Sequence, residues 1–244
     1  MTDFAFLHGG GQGGWVWDET ISAMQAQSPT TPGGTHRYLA LDAPGCGTKR
    51  GRDTSAIQFD EINAELVADI EAAGMQDVIL VGHSQAGTSL PGMAALKPGL
   101  FRKLVFVSCV APDPGLTMIE MSGNRIHGGR HSFTDETLST RDRYRKLFCN
   151  DMAPAQADRF LDKLGPDGWP RSCYGETNWA YDHLADIPVS YVLCLQDVVM
   201  PLEWQEFFAK RMHARSTLRI DAGHQVMNTR PQALAEVLLA EANQ

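Results

Sequence analysis

Several common classes of protein are excluded by what this 244-residue chain has little of. Its five cysteines (Cys46, Cys109, Cys149, Cys173, Cys194) are odd in number, widely spaced and form no C-x-x-C pair. That excludes a disulfide framework and a zinc site, and it fits free thiols in a reducing compartment. Basic charge is in deficit: 21 Lys and Arg against 29 Asp and Glu leave a formal net charge of −8. No general positive field exists to hold a phosphate backbone or an anionic membrane. No apolar run reaches the length of a membrane span, and Phe4-Ala5-Phe6-Leu7 opens the chain directly with a strand pattern instead of an export signal. The expectation is a soluble, cytoplasmic protein with no nucleic acid or membrane as partner. No histidines, cysteines or acids stand at metal-ligand spacing such as H-E-x-x-H, so neither a metal nor another cofactor is expected.

What is present is ordinary globular composition, 43% hydrophobic and 20% charged, enough for one core with a small appended lobe. Glycine is concentrated at one place. After the first strand, His8-Gly9-Gly10-Gly11-Gln12-Gly13-Gly14 holds five glycines in seven residues. Glycine costs about 0.5–1 kcal/mol relative to Ala in regular structure, so such a cluster marks unusual backbone or backbone approaching a ligand. A phosphate loop would need Gly-Lys-Ser/Thr at its end, where this stretch has Trp15-Val16-Trp17. A dinucleotide fingerprint can be laid on it, with Asp42 ending the next strand, but an oxyanion loop of HGGG type fits better.

The second concentration is Val78-Ile79-Leu80-Val81 followed by Gly82-His83-Ser84-Gln85-Ala86-Gly87. A buried strand is predicted to break at Gly82 into the nucleophile elbow G-x-S-x-G, with Ala at its last position and Ser84 raised at a helix N-terminus. Around it, strands are predicted over 4–7, 37–41, 104–107, 189–195 and 217–220. Helical spacing predicts helices over 15–27, 58–73 and 230–242, and residues 28–34 read as a polar surface loop. Strands alternating with helices make a mostly parallel six-stranded sheet flanked by helices, with sites at the strands' C-terminal ends. Residues 112–186 interrupt the alternation with helical patterns and many aromatics: Trp169, Trp179, Tyr174, Tyr181, Phe133, Phe148 and Phe160. They predict a helical cap inserted after the fourth strand, with 1–111 and 187–244 as the core.

A serine becomes a useful nucleophile only beside a base, and that base needs a third group to fix its tautomer. Asp197 follows the strand Tyr191-Val192-Leu193-Cys194-Leu195, and His224 follows the last strand on a turn that Gly223 permits. Ser84, Asp197 and His224 are therefore the candidate nucleophile, orienter and base, each past a strand and in the chain order of a hydrolase triad. His83 and His8 read as structural. His127, His131 and His183 fall in the cap, and the basic run Lys49-Arg50-Gly51-Arg52 reads as a solvated loop.

The motifs His8-Gly9-Gly10, Gly13-Gly14-Trp15-Val16-Trp17, Leu41-Asp42, Gly82-His83-Ser84, Ile187-Pro188, Asp197, and His224 with Met227 and Pro231-Gln232-Ala233-Leu234 resemble the plant methylesterase and hydroxynitrile lyase branch of the α/β-hydrolases and its bacterial esterase relatives. The resemblance covers the sheet at both ends of the sequence and is weak across the cap. It implies the α/β-hydrolase fold and the triad roles above, with an oxyanion hole made by the backbone N–H groups of Gly10 and Gln85. Gly9, Gly11, Trp169, Trp179, His127 and Gln225 are the candidate pocket residues. Lyases of this branch carry Thr at the position of Gly9 and Lys at that of Gln225, so both departures favour hydrolysis. The expected activity is hydrolysis, through an acyl-enzyme, of small to medium apolar or aromatic esters or lactones. The alternatives on the same residues are a lyase or C–C bond hydrolase, and a ligand receptor with slow turnover.

Overall fold

The computed structural model describes residues 2–28, 36–128, 135 and 137–243. Most of the predicted loop over 28–34, together with His131 and Phe133, lies outside the described residues. Six strands form one sheet: β1 (Asp3–Leu7), β2 (Arg37–Leu41), β3 (Val78–His83), β4 (Phe101–Val107), β5 (Val189–Cys194) and β6 (Ser216–Ile220). Their order is β2-β1-β3-β4-β5-β6 and every pairing is parallel. β1 and β3 are buried along their whole length, which is why their sequences are continuous apolar runs instead of alternating ones.

The helices follow in chain order. The predicted helix over 15–27 divides into a 3-10 turn, Gly14–Trp17, and α1 (Asp18–Gln27). α2 (Phe59–Ala72) starts in a capping box in which the Glu61 carboxylate accepts from the Gln58 N–H at 2.8 Å. α3 (Ser89–Leu96) precedes β4. Between β4 and β5 come α4 (Met118–Glu120), continued by a π-helical turn to Ile126, then α5 (Thr140–Phe148), α6 (Pro154–Lys163) and α7 (Ser172–Gly175). Among the described residues this segment contains no strand. α8 (Leu202–Arg211), α9 (Val226–Thr229) and α10 (Pro231–Glu241) complete the chain. None of the described helices is long and apolar enough to cross a membrane.

The pleat of the sheet divides the core in two. Ala5, Leu7, Leu80 and Leu104 face Ile62 and Leu66 of α2, Leu90 and Met93 of α3, and Phe208 of α8. Phe4, Phe6, Val81 and Val105 face Met24 of α1 and Leu234 and Leu238 of α10. Each such large apolar side chain contributes about 1.5–3 kcal/mol on burial. Phe148 and Phe160 of the inserted segment join the second cluster, and Trp169, Trp179 and Tyr181 join the first. Because all strands run the same way, their C-terminal ends share one edge. The glycine loop follows β1 there, Ser84 follows β3, Ser108 follows β4, Asp197 lies just past β5 and His224 just past β6.

Candidate active site

β3 runs through Gly82 to His83 before the chain turns, one step later than the glycine itself predicts. Ser84 then adopts φ 55°, a left-handed conformation that costs a non-glycine residue about 1–2 kcal/mol. The residues after it form a 3-10 turn, Ser84–Thr88, and the α-helix proper begins only at Ser89. Close packing holds the turn: a Cβ on Gly87 would lie 2.2 Å from the Val110 carbonyl oxygen. The elbow therefore needs a small residue there, as the sequence has.

The three predicted side chains converge. His224 Nε2 lies 3.0 Å from Ser84 Oγ, and His224 Nδ1 lies 2.7 Å from Asp197 Oδ2. With Nδ1–H donating to the carboxylate, Nε2 presents a lone pair to the serine, the tautomer a base requires. Asp197 is held in turn: Oδ1 accepts from the N–H groups of Val199 and Met200 at 2.7 and 2.9 Å, and Oδ2 accepts from Ser108 Oγ at 2.5 Å. Ser108, with φ 43° and no exposure, is a buried donor to this carboxylate that no sequence motif singles out. Its signal was available, since Val107-Ser108 is itself a strand end on the edge where sites form. The Phe148 ring stacks on His224 with centroids 5.7 Å apart.

Two further histidines support the backbone. His8 Nε2 accepts from the Ala43 N–H at 3.2 Å, so its proton sits on Nδ1 and is donated to the Gly9 carbonyl at 2.7 Å. His83 Nε2 lies 2.9 Å from the His224 carbonyl oxygen, with the two rings 4.5 Å apart. Burial holds both pKa values below the usual one, helped for His83 by the neighbouring His224. The two rings stay neutral when folded, whereas in the unfolded chain they protonate near 6.5. Below that pH the unfolded state binds protons that the folded state refuses, so this stability is complete above about 6.5 and lost as pH falls. Each ring contributes at most about 1.4 kcal/mol per pH unit there. The urea midpoint should therefore drop between pH 7 and pH 5; an unchanged midpoint would contradict neutral, buried rings.

Above Ser84 is a cavity of about 310 Å³. Of the candidate pocket residues Gly11 and His127 line it, with Gly10 and Gln85 of the candidate oxyanion hole, beside Gln12, Val110, Met118, Tyr144, Phe148, Leu164, Asp167, Tyr174 and Met200. Neither the Gly10 nor the Gln85 N–H is used in any turn or loop hydrogen bond of the described residues. Four of the candidates for the pocket lie elsewhere. Trp169 is buried, donates its indole N–H to the Gly9 carbonyl at 3.3 Å and packs edge-on against His8. Trp179 donates to the Leu116 carbonyl at 2.7 Å and packs against Phe59. Both are supports, because a buried indole needs an acceptor for its N–H and finds one in backbone. Gln225 is wholly buried and does not line the cavity, its side-chain amide without a partner among the described residues. Gly9 lies under the serine, where a Cβ would come 3.0 Å from Ser84 Cβ and 3.1 Å from His83 Nδ1.

Competing chemistries have little support. Burial pushes the thiols of Cys46 and Cys149 up to about 12 and about 11, leaving them protonated and poor nucleophiles. Asp42, the candidate ribose ligand of a dinucleotide reading, is used internally: it accepts from the Gly14 N–H at 2.6 Å and from both the N–H and hydroxyl of Thr48. No three His, Cys, Asp or Glu among the described residues come together as a metal site would require.

Residues 4–237 match the family profile described as "Alpha/beta hydrolase family". A pyrethroid hydrolase of Sphingobium wenxiniae is 25% identical over 257 residues, spanning 98% of this chain and 86% of that protein. Methylesterase 7 of Arabidopsis thaliana is 23% identical over 259 residues, spanning 98% and 96%. The crystal structure of polyneuridine aldehyde esterase is similar in fold, with a TM-score of 0.81 at 18% identity and 99% of each chain covered.

Proposed function

Because the chain belongs to the alpha/beta hydrolase family, we propose that it is a serine carboxylic-ester hydrolase acting on small to medium, apolar or aromatic esters or lactones. The observation that carries this reading is the left-handed Ser84, its hydroxyl 3.0 Å from His224 Nε2, at the floor of a mostly apolar cavity. Ser84 Oγ attacks the ester carbonyl while His224 takes its proton; the N–H groups of Gly10 and Gln85 stabilise the oxyanion. The carbonyl–oxygen bond to the alcohol breaks, and His224 returns the proton to the departing alkoxide. Water then attacks the acyl-enzyme by the same route, releasing the acid and restoring Ser84. The hydrolase and esterase names of the relatives favour this over the other reactions of the fold.

The lyase alternative loses ground on two positions. Gly9 has no side chain to offer, a Cβ there would press on Ser84 and His83 at 3.0 and 3.1 Å, and Gln225 is buried and does not line the cavity, so neither presents a group to a cyanohydrin. A fluorophosphonate tests the proposal directly: phosphonylation should be stoichiometric and confined to Ser84 by peptide mass spectrometry, with loss of p-nitrophenyl ester turnover in parallel. An adduct on Ser89 or Ser108, or full ester turnover after Ser84 is blocked, would overturn it.

A further inference from the structure

Among the described residues the cavity lining carries a single carboxylate. Most of the wall is apolar, from Val110, Met118, Ile119, Phe148, Leu164 and Met200, with Gln12, Ser122, His127 and Tyr144 as further polar groups, and beside Gly10 it carries Asp167, Tyr174 and Gln85. A Cβ placed on Gly10 would lie 3.3 Å from Asp167 Oδ2 and 2.7 Å from Gln85 Oε1. A carboxylate thus stands against the backbone whose N–H is assigned to the oxyanion. The Tyr174 hydroxyl is hydrogen-bonded to Asp167 Oδ2 and lies 3.0 Å from Gln85 Oε1, so one proton serves two acceptors. Burial, with the Asp167 charge beside it, pushes the Tyr174 pKa up and keeps that proton in place. No Lys or Arg among the described residues forms an ion pair with Asp167. The nearby Arg50 lies against Gly165 and does not line the cavity.

The carboxylate is held firmly in this position. Its Oδ1 accepts from the Trp169 N–H at 3.1 Å, and the Trp169 indole is bonded to Gly9. On the other flank Gly168 presses on Gly45, where a Cβ on either would fall 2.0 or 2.1 Å from the other's carbonyl oxygen. A negative charge fixed beside the oxyanion hole opposes the charge that develops there unless the substrate brings a cation to it. From this we propose that the preferred substrates are esters carrying a protonated amine, which pairs with Asp167 and donates to the acceptors around it. The inference rests on the ester-hydrolase reading and narrows it to cationic substrates; the net charge of −8 acts in the same direction by attracting cations.

The test uses two isosteric pairs that differ only in charge: phenyl 4-(aminomethyl)benzoate with phenyl 4-ethylbenzoate, and 4-(aminomethyl)phenyl acetate with 4-ethylphenyl acetate. In the parent protein kcat/KM should favour the amine in at least one pair by about fivefold, the scale of a partly exposed ion pair. Asp167→Asn keeps an acceptor for the Trp169 N–H; it should abolish that preference and raise turnover of the neutral member. Tyr174→Phe should reduce the preference without reversing it. Binding of the same four esters to Ser84→Ala, with and without Asp167→Asn, reads the preference without turnover. Loss of ester hydrolysis in the parent with amine-selective binding intact would refute only the hydrolase reading. A parent that favours the neutral members in both pairs, or an Asp167→Asn protein with the same amine preference, refutes the assignment of Asp167.

Discussion

Replacing Ser84 with alanine should lower kcat for ester hydrolysis by about 10⁶, to the level left by binding and the oxyanion hole alone. The size of the effect follows from what the hydroxyl does. In the proposed reaction it is the atom that forms the acyl bond, and within the site its hydrogen bond is to His224 Nε2 at 3.0 Å. The change should be almost silent in stability. Alanine has the same Cβ at the same φ of 55°, so the backbone strain is neither relieved nor increased, and the Ser84 carbonyl still accepts from the Val110 N–H at 3.1 Å. Steady-state kinetics on p-nitrophenyl esters, paired with a thermal unfolding curve, measures both halves. Near-parent turnover by the well-folded variant would mean that another residue carries the chemistry.

Asp197→Asn should cost about 10⁴ in kcat with the overall geometry preserved. The parent carboxylate accepts four hydrogen bonds: from the N–H groups of Val199 and Met200 on Oδ1, and from Ser108 Oγ and His224 Nδ1 on Oδ2. The two N–H groups on Oδ1 hold the asparagine oxygen at that position, so its NH₂ takes the place of Oδ2. The Ser108 hydroxyl can rotate and accept. His224 Nδ1 can accept only by giving up its proton, which moves to Nε2 and points at Ser84. A ring that already carries a proton on Nε2 cannot remove one from the serine. Kinetics give the loss, and ¹⁵N chemical shifts of the His224 ring report the tautomer. A variant within about tenfold of the parent, or one whose ring keeps its proton on Nδ1, would remove Asp197 from the role of orienter.

Much of the site was legible because the information is local. Ser84 and Asp197 each follow an apolar, β-branched run and His224 follows the alternating strand Ser216–Ile220, and in a parallel sheet the ends of such strands must share an edge. Ser108 satisfies the same criterion and was missed only because a serine after a strand has no motif around it. Trp169 and Trp179 show the opposite failure: aromatic type predicts burial, but burial in a cap can face either the cavity or the sheet below. Asp167 sits in Gly165-Pro166-Asp167-Gly168, which reads as an ordinary turn.

The sequence by itself determined the six strands, the turn at Ser84, the placing of Ser84, Asp197 and His224 past successive strands and the presence of an inserted helical segment. All of these depend on spacing within a few residues and on the parallel rule that places the strand ends together. Only the tertiary structure decided which residues of the inserted segment meet the cavity, that Gln225 is buried while Asp167 stands beside Gly10, and that Ser108 reaches Asp197. Those are contacts between segments far apart in the chain, set by how the inserted helices pack on the two faces of the sheet. Helical periodicity gives a helix an apolar side, but it does not say what that side will meet.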